Sequence, residues 1–212
     1  MTKRTLTLGV LVSGSGTNLQ AVLDSIREGT LEANVGVVIS NVMTATALER
    51  AKAARVPAIV VDHRAYRSRD AFDAALVEVL EAHRVDYVVL AGFMRIVTPR
   101  LLEAFPDRVV NVHPALLPAF PGLHAQRQAL EYGVAVTGCT VHFVDAGTDT
   151  GPIIAQAAVP VLEDDDEASL SARILKKEHE LLPLVLSWIA EGRMTVERRA
   201  GVRPRVRVRL GR

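Results

Sequence analysis

Thr5-Leu6-Thr7-Leu8-Gly9-Val10-Leu11-Val12 runs directly into Ser13-Gly14-Ser15-Gly16-Thr17-Asn18, and residues 18–28 then carry apolar side chains at helical spacing. A short apolar run closed by glycines and followed by a helix reads as the strand, turn and return helix of a βαβ unit. The alternation continues outward from there. Residues 35–40, 58–61, 87–91 and 109–113 read as further buried strands, with helices predicted over 45–54, 70–83 and 99–104. Right-handed crossovers between such strands give an α/β fold, a mostly parallel central sheet with helices on both faces. Residues 139–144 and 153–161 read as strands with no helix between them, which predicts a mixed or antiparallel C-terminal extension. After the acidic run 163–167, a solvated lead-in whose carboxylates suit a helix start, residues 168–191 are apolar at helical spacing with Gly192 as the stop. Pro183 is expected to kink or divide that helix.

Ligands of open α/β sheets bind at the carboxyl ends of the strands. The glycine loop, Ala91-Gly92-Phe93-Met94-Arg95 and the pair Asn111/His113 all follow strands and are predicted to share that edge. Asn111 and His113 stand two apart on a strand, so their side chains point to one face. An amide and an imidazole side by side can stabilise and protonate a tetrahedral intermediate without a covalent nucleophile. Asp149, in the turn-rich Asp149-Thr150-Gly151-Pro152, is placed to pair with His113 and keep it charged or correctly oriented. In the glycine loop, backbone N–H groups at a helix start favour an anion. The plainer reading is a tight turn capped by Thr17 or Asn18. No Gly-Lys-Ser/Thr follows, Leu19 stands where a dinucleotide fingerprint needs its third glycine, and the second strand ends Ile39-Ser40-Asn41 without a ribose carboxylate. A single phosphate is therefore the better ligand.

Composition narrows the classes. A chain of 212 residues that is 49% hydrophobic can bury a full core. With 25 basic against 24 acidic residues, its bulk carries no charge signature for nucleic acid or membrane. A single cysteine excludes an internal disulfide framework and a multi-cysteine zinc site, which fits a reducing compartment. Cys139 lies at a strand start with no evident base and reads as a packed thiol. None of the six histidines has metal-ligand spacing; His63 and His83 read as structural, and His142 as either packed or supporting. No apolar run approaches the roughly 20 residues of a membrane span, and the opening segment is too short for a signal peptide, so a cytoplasmic protein is expected. Residues 115–124 are rich in proline and glycine yet apolar, which suits either a lid over a flat ligand or an ordered loop packed on the core.

Taken together, these motifs resemble the phosphoribosylglycinamide formyltransferase family of folate-dependent formyltransferases. The resemblance is carried by Ser13-Gly14-Ser15-Gly16-Thr17-Asn18-Leu19-Gln20, Ala91-Gly92-Phe93-Met94-Arg95-Ile96, Asn111-Val112-His113-Pro114-Ala115-Leu116-Leu117-Pro118, Pro121-Gly122-Leu123-His124, Val141-His142-Phe143-Val144 and Asp149-Thr150-Gly151-Pro152-Ile153-Ile154, in family order over residues 5–192. It implies a Rossmann-like formyltransferase fold in which Asn111, His113 and Asp149 take the catalytic positions. Gly16, Thr17 and Asn18 then match substrate-phosphate positions, and Glu178 a contact to glycinamide ribonucleotide. Arg69, Met94, Arg95, Ile96 and Val97 correspond to folate-side contacts, with residues 145–149 closing on the pteridine, and Thr140 and His142 to supporting positions. Ala115 departs from a serine often found there, and Thr148 from smaller or apolar residues; neither removes a required group.

The implied reaction moves the formyl group of 10-formyltetrahydrofolate, a co-substrate, to the amine of glycinamide ribonucleotide in purine synthesis, without a metal. The partners implied are those two small molecules, with no nucleic acid and no membrane, in a monomer or homodimer. A formyltetrahydrofolate hydrolase is expected to carry an extra N-terminal regulatory domain, and a methionyl-tRNA formyltransferase an additional C-terminal RNA-binding domain. A nucleotide-binding module or NAD enzyme explains the glycine loop but not Asn111, His113 and Asp149 together. The expected organisation is one formyltransferase domain over residues 1–197 and an Arg-rich tail over 198–212. Alternation of basic and apolar residues over 202–210 predicts an edge strand or a disordered tail, the sharper alternative being an RNA- or polyphosphate-binding arm. On the first reading, formyl transfer survives removal of the tail.

Overall fold

Strands form where the apolar runs predict them, within a few residues at either end, in a computed structural model that describes residues 5–199 and 201–209. The seven-stranded sheet runs in the order 58–60, 33–40, 6–12, 87–90, 109–113, 136–143 and 153–160. The chain divides into two compact units, Met1–Val110 and Asn111–Arg212.

In the first unit β1 (Leu6–Val12), α1 (Thr17–Arg27), β2 (Ala33–Ser40), α2 (Thr46–Ala53), β3 (Ala58–Val60), α3 (Arg69–Ala82), β4 (Tyr87–Leu90) and α4 (Pro99–Ala104) follow one another, with a short 3-10 turn at His63–Ala65. β1 pairs in parallel with both β2 and β4, and β2 with β3. Val10 therefore lies between Val38 and Val89. Leu8, Val10, Leu11, Val12, Val37 and Val38 are fully buried, the uninterrupted apolar character required of strands covered on both faces. α3 starts at Ser68, whose hydroxyl accepts the Ala71 N–H at 3.1 Å.

The second unit takes in β5 (Val109–His113) from Asn111 onward, then α5 (Ala125–Tyr132), β6 (Val136–Phe143), β7 (Ile153–Pro160), α6 (Glu167–Ala190), β8 (Met194–Arg199) and β9 (Val202–Val208). β6 and β7 are antiparallel, with an irregularity at Val141/His142. α6 is capped by a reciprocal Asp166/Ser169 box and packs on β6 and β7. It runs 24 residues and is not divided at Pro183. Proline cannot donate to the carbonyl of His179, but Leu182, Pro183, Val185 and Leu186 are all buried, and that burial outweighs a lost bond worth about 1 kcal/mol.

The tail forms the edge strand that its alternation predicts. β9 pairs antiparallel with β8, which the sequence did not suggest, in a two-stranded sheet of its own. The alternation itself is realised in part: Pro204, Val206 and Val208 are half-buried and Arg203, Arg205, Arg207 and Arg209 exposed, while Val202 remains 51% exposed. The expectations for residues 1–4 and 210–212 fall outside the described residues. No helix among the described residues is long and apolar enough to cross a membrane.

Candidate active site

β5 and β6 bring the candidate catalytic side chains of the second unit together. Asn111 and His113 leave the same face of β5, as their spacing requires, and both reach Asp149. His113 Nδ1 lies 3.3 Å from Asp149 Oδ2, and Asn111 Nδ2 lies 3.5 Å from Asp149 Oδ1. His142, on β6, completes the group: its Nε2 is 3.2 Å from Asn111 Nδ2 and 3.6 Å from Asp149 Oδ1. The Nδ1 of His142 is turned to the Phe143 carbonyl at 2.8 Å.

Two backbone groups that no sequence pattern marks also join the cluster. The Gly122 N–H donates to Asp149 Oδ2 at 2.8 Å, and the Phe120 carbonyl sits 2.8 Å from His113 Nε2. The segment after β5 is thus folded onto the imidazole and carboxylate. Its first turn is anchored by Thr140, whose hydroxyl donates to the Ala115 carbonyl at 2.7 Å and accepts the Leu117 N–H at 3.0 Å. Gln156 Nε2 donates to Leu117 O and to Thr140 Oγ1, each at 2.9 Å. Thr140 thereby fixes the start of the segment that carries Phe120 and Gly122 to the cluster. The eight-residue α5, which the sequence did not predict, follows His124 in the left-handed region and ends at Gly133.

Burial governs the charges. His113 is 4% exposed, and desolvation pushes its imidazole below the ordinary range; the Asp149 carboxylate and Phe120 carbonyl pull upward, and His142 pushes down again. Burial by itself raises Asp149, but the His142 ring, the Gly122 N–H and His113 outweigh it and hold the carboxyl below its usual value. Since both neighbours of the His113 ring are acceptors, only the imidazolium can donate to both at once. Its protonation therefore depends on the carboxylate beside it.

Glu178 is buried on α6. Burial first and the Glu178 carboxylate second push the Cys139 thiol up to about 12, which makes it a packed group and no nucleophile.

The first unit carries the glycine loop and the 93–97 segment. Gly16 precedes α1 in the left-handed region, with φ 70°, and no side chain caps the helix, so the proposed Thr17 or Asn18 cap does not form. A Cβ on Gly16 would lie 2.5 Å from Ala47 Cβ and 2.8 Å from Ala47 Cα. Asn18 is buried and Thr17 half-buried. The loop is fixed from outside by Ala47 N–H to Gly14 O at 3.1 Å and Arg50 Nε to Ser15 O at 2.8 Å. Ser13 Oγ donates to Asn41 Oδ1 at 2.6 Å and accepts the Met94 N–H at 2.8 Å. Asn41, noted in the sequence only for not being acidic, and Arg50 are positioning residues that the sequence did not single out. Met94 and Ile96 are 65% and 55% exposed, Arg95 is half-buried, Arg69 is exposed at the first turn of α3, and the Val97 side chain is buried. Among the described residues no group of three or more His, Cys, Asp or Glu is arranged to hold a metal ion.

This geometry is found in a chain similar to several known proteins. Residues 7–186 match the formyl transferase family model. A phosphoribosylglycinamide formyltransferase of Escherichia coli (strain K12) is 44% identical over 191 residues, covering 90% of each chain. The trifunctional purine biosynthetic protein adenosine-3 of Drosophila melanogaster is 48% identical over 194 residues; the match takes in 91% of this chain but 14% of that longer protein. The crystal structure of glycinamide ribonucleotide transformylase 1 from Symbiobacterium toebii superposes with a TM-score of 0.92 at 58% identity, covering 96% of this chain and 94% of that one. With the family model matching most of its length, the chain belongs to the formyl transferase family.

Proposed function

We propose that this chain is a phosphoribosylglycinamide formyltransferase, moving the formyl group of 10-formyltetrahydrofolate to the amine of glycinamide ribonucleotide, and that it works in the cytoplasm as a monomer or homodimer. The observation that carries the reading is the convergence of Asn111 and His113 on Asp149, each within hydrogen-bonding reach of its carboxylate. Such a cluster suits an acyl transfer in which the substrate supplies the nucleophile, so no activated serine or cysteine is needed.

The amine nitrogen forms a bond to the formyl carbon, and the carbonyl electrons move onto oxygen. Asn111 Nδ2–H and the His113 imidazolium donate to that oxyanion. As it collapses, the bond to the folate nitrogen breaks, and the proton lost by the amine passes, through water held by Asp149, to that nitrogen. Two existing contacts have to be exchanged first. The formyl oxygen takes the Nε2–H now directed at the Phe120 carbonyl, and Asn111 gives up a contact to Asp149 that at 3.5 Å is already at the limit of a hydrogen bond.

In the first unit, Gly16, Thr17 and Asn18 are assigned to the ribonucleotide phosphate, where backbone N–H groups and the α1 dipole favour an anion. Glu178 is assigned to the ribonucleotide, the chain from Met94 to Val97 with Arg69 to the folate, and Thr140 and His142 to support of the catalytic cluster. Folate release measured spectrophotometrically, with and without glycinamide ribonucleotide, tests the assignment. Release that requires the amine is expected; equal release without it would instead mark a formyltetrahydrofolate hydrolase.

A further inference from the structure

The Arg-rich tail is left unused by formyl transfer, yet its guanidinium groups have defined destinations. Arg207 Nε lies 2.6 Å from Glu197 Oε1, and Arg199 faces the same carboxylate at 3.9 Å. Arg209 Nη2 donates to Gly192 O at 3.2 Å, while Arg193 Nε donates to Arg209 O at 2.6 Å. These contacts hold the hairpin to itself. Arg203 points elsewhere: its Nη2 donates to the carbonyls of Thr150 and, at 3.2 Å, of Gly151.

Those two carbonyls follow Asp149 directly. Asp149 has φ 53°, a left-handed conformation that costs a residue with a Cβ roughly 1–2 kcal/mol. Gly151 lies against the Phe143 carbonyl, where a Cβ would collide. On the upstream side, Asp145 Oδ1 accepts the Thr150 hydroxyl at 2.6 Å and the Gly147 N–H at 3.1 Å. A strained turn of this kind keeps its shape only when its surroundings impose it. We propose that Arg203 is a positioning residue of the formyl-transfer site, clamping the peptide after Asp149 so that the carboxylate stays against His113; this rests on the formyl-transfer reading.

A guanidinium suits the task because one planar nitrogen offers two N–H groups to two carbonyls at fixed geometry. The contact to Thr150 is exposed and that to Gly151 part-buried, so it acts on the placement of the turn more than on global stability. The consequence falls on His113, whose titratable neighbours are Asp149 at 3.3 Å and, across that carboxylate, His142. The tail is then not dispensable, contrary to the reading of its sequence.

The full chain is compared with Arg203→Met, Arg203→Lys and, as a control on the same strand, Arg205→Met. NMR titration of the His113 imidazole, without substrates, is expected to show a lower pKa in Arg203→Met than in wild type, because the carboxylate that favours the imidazolium is less well placed. kcat is expected to fall roughly 10-fold, the scale of a sub-ångström misplacement, with KM for both substrates nearly unchanged. Arg203→Lys should lie between, and Arg205→Met should match wild type. Should Arg203→Met fail to fold, Arg203→Lys carries both readouts. A wild-type His113 titration and kcat, with only a lowered melting temperature, would overturn the proposal. Absence of amine-dependent folate release from wild type would instead remove the formyl-transfer reading, while the His113 titration still reports on the clamp.

Discussion

The glycine loop of the first unit and the His113 cluster of the second are made of opposite materials. Around Gly16 the groups proposed to bind are backbone N–H donors, in a turn that Ala47, Arg50 and Asn41 hold from behind. Around His113 the useful groups are side chains, and the backbone of Phe120 and Gly122 serves only to orient them. A site built on missing atoms is damaged by adding them, and a site built on side chains by taking them away. Binding and chemistry should therefore separate under mutation.

The largest effect is expected at His113. His113→Ala removes the donor to the developing oxyanion and should lower kcat roughly 100-fold or more, the scale for a group of that kind, with KM changed far less. Near-wild-type turnover in a folded variant would show that His113 does not carry the chemistry.

Asp149→Asn keeps the shape and removes the charge that favours the imidazolium. A similar fall in kcat is expected, and its pH dependence fixes the cause. Burial already holds His113 low, and the carboxylate is what lifts it. Activity that needs the imidazolium declines as pH rises through the His113 pKa, so this decline should begin at lower pH in the variant. A pH–rate profile that superposes on the wild type would break the couple.

Gly16→Leu probes the other half of the comparison. The left-handed backbone costs a branched residue roughly 1–2 kcal/mol, and its Cβ meets Ala47. We expect the apparent KM for glycinamide ribonucleotide to rise on the order of 10-fold, while that for folate stays close to wild type. Equal weakening of both would remove the assignment of this loop to the phosphate. Smallest is Thr140→Val, which leaves the Leu117 N–H without its acceptor in a buried setting. A loss of about 1–3 kcal/mol of stability is expected in denaturant titration, with kcat reduced less than in any of the cluster variants.

The same contrast explains what the sequence disclosed. The convergence of Asn111 and His113 was legible because residues two apart on a strand share a face, and that of Asp149 with them because a carboxylate is the natural partner of a buried imidazole. The β1–α1 turn was legible because apolar runs and glycines punctuate it. Phe120 and Gly122 were not, since they contribute a carbonyl and an N–H that every residue possesses. α5 was hidden because it is only eight residues long, starts from a left-handed His124 and lacks a side-chain cap. β8 has no clear period-two pattern, and only its pairing with β9 makes it a strand. Pro183 does not divide α6, where burial of its neighbours offsets the lost hydrogen bond.

Ala47 occupies the space that a side chain on Gly16 would need, at the first turn of α2, and its own N–H holds Gly14. The methyl group of Ala47 is in effect the floor of the glycine turn. Its size limits how closely the turn can approach α2, so the shape of the turn depends on a residue thirty-one positions downstream. Enlarging that floor from the α2 side would tilt the same amides as a change within the loop, without placing any atom in the mouth of the site.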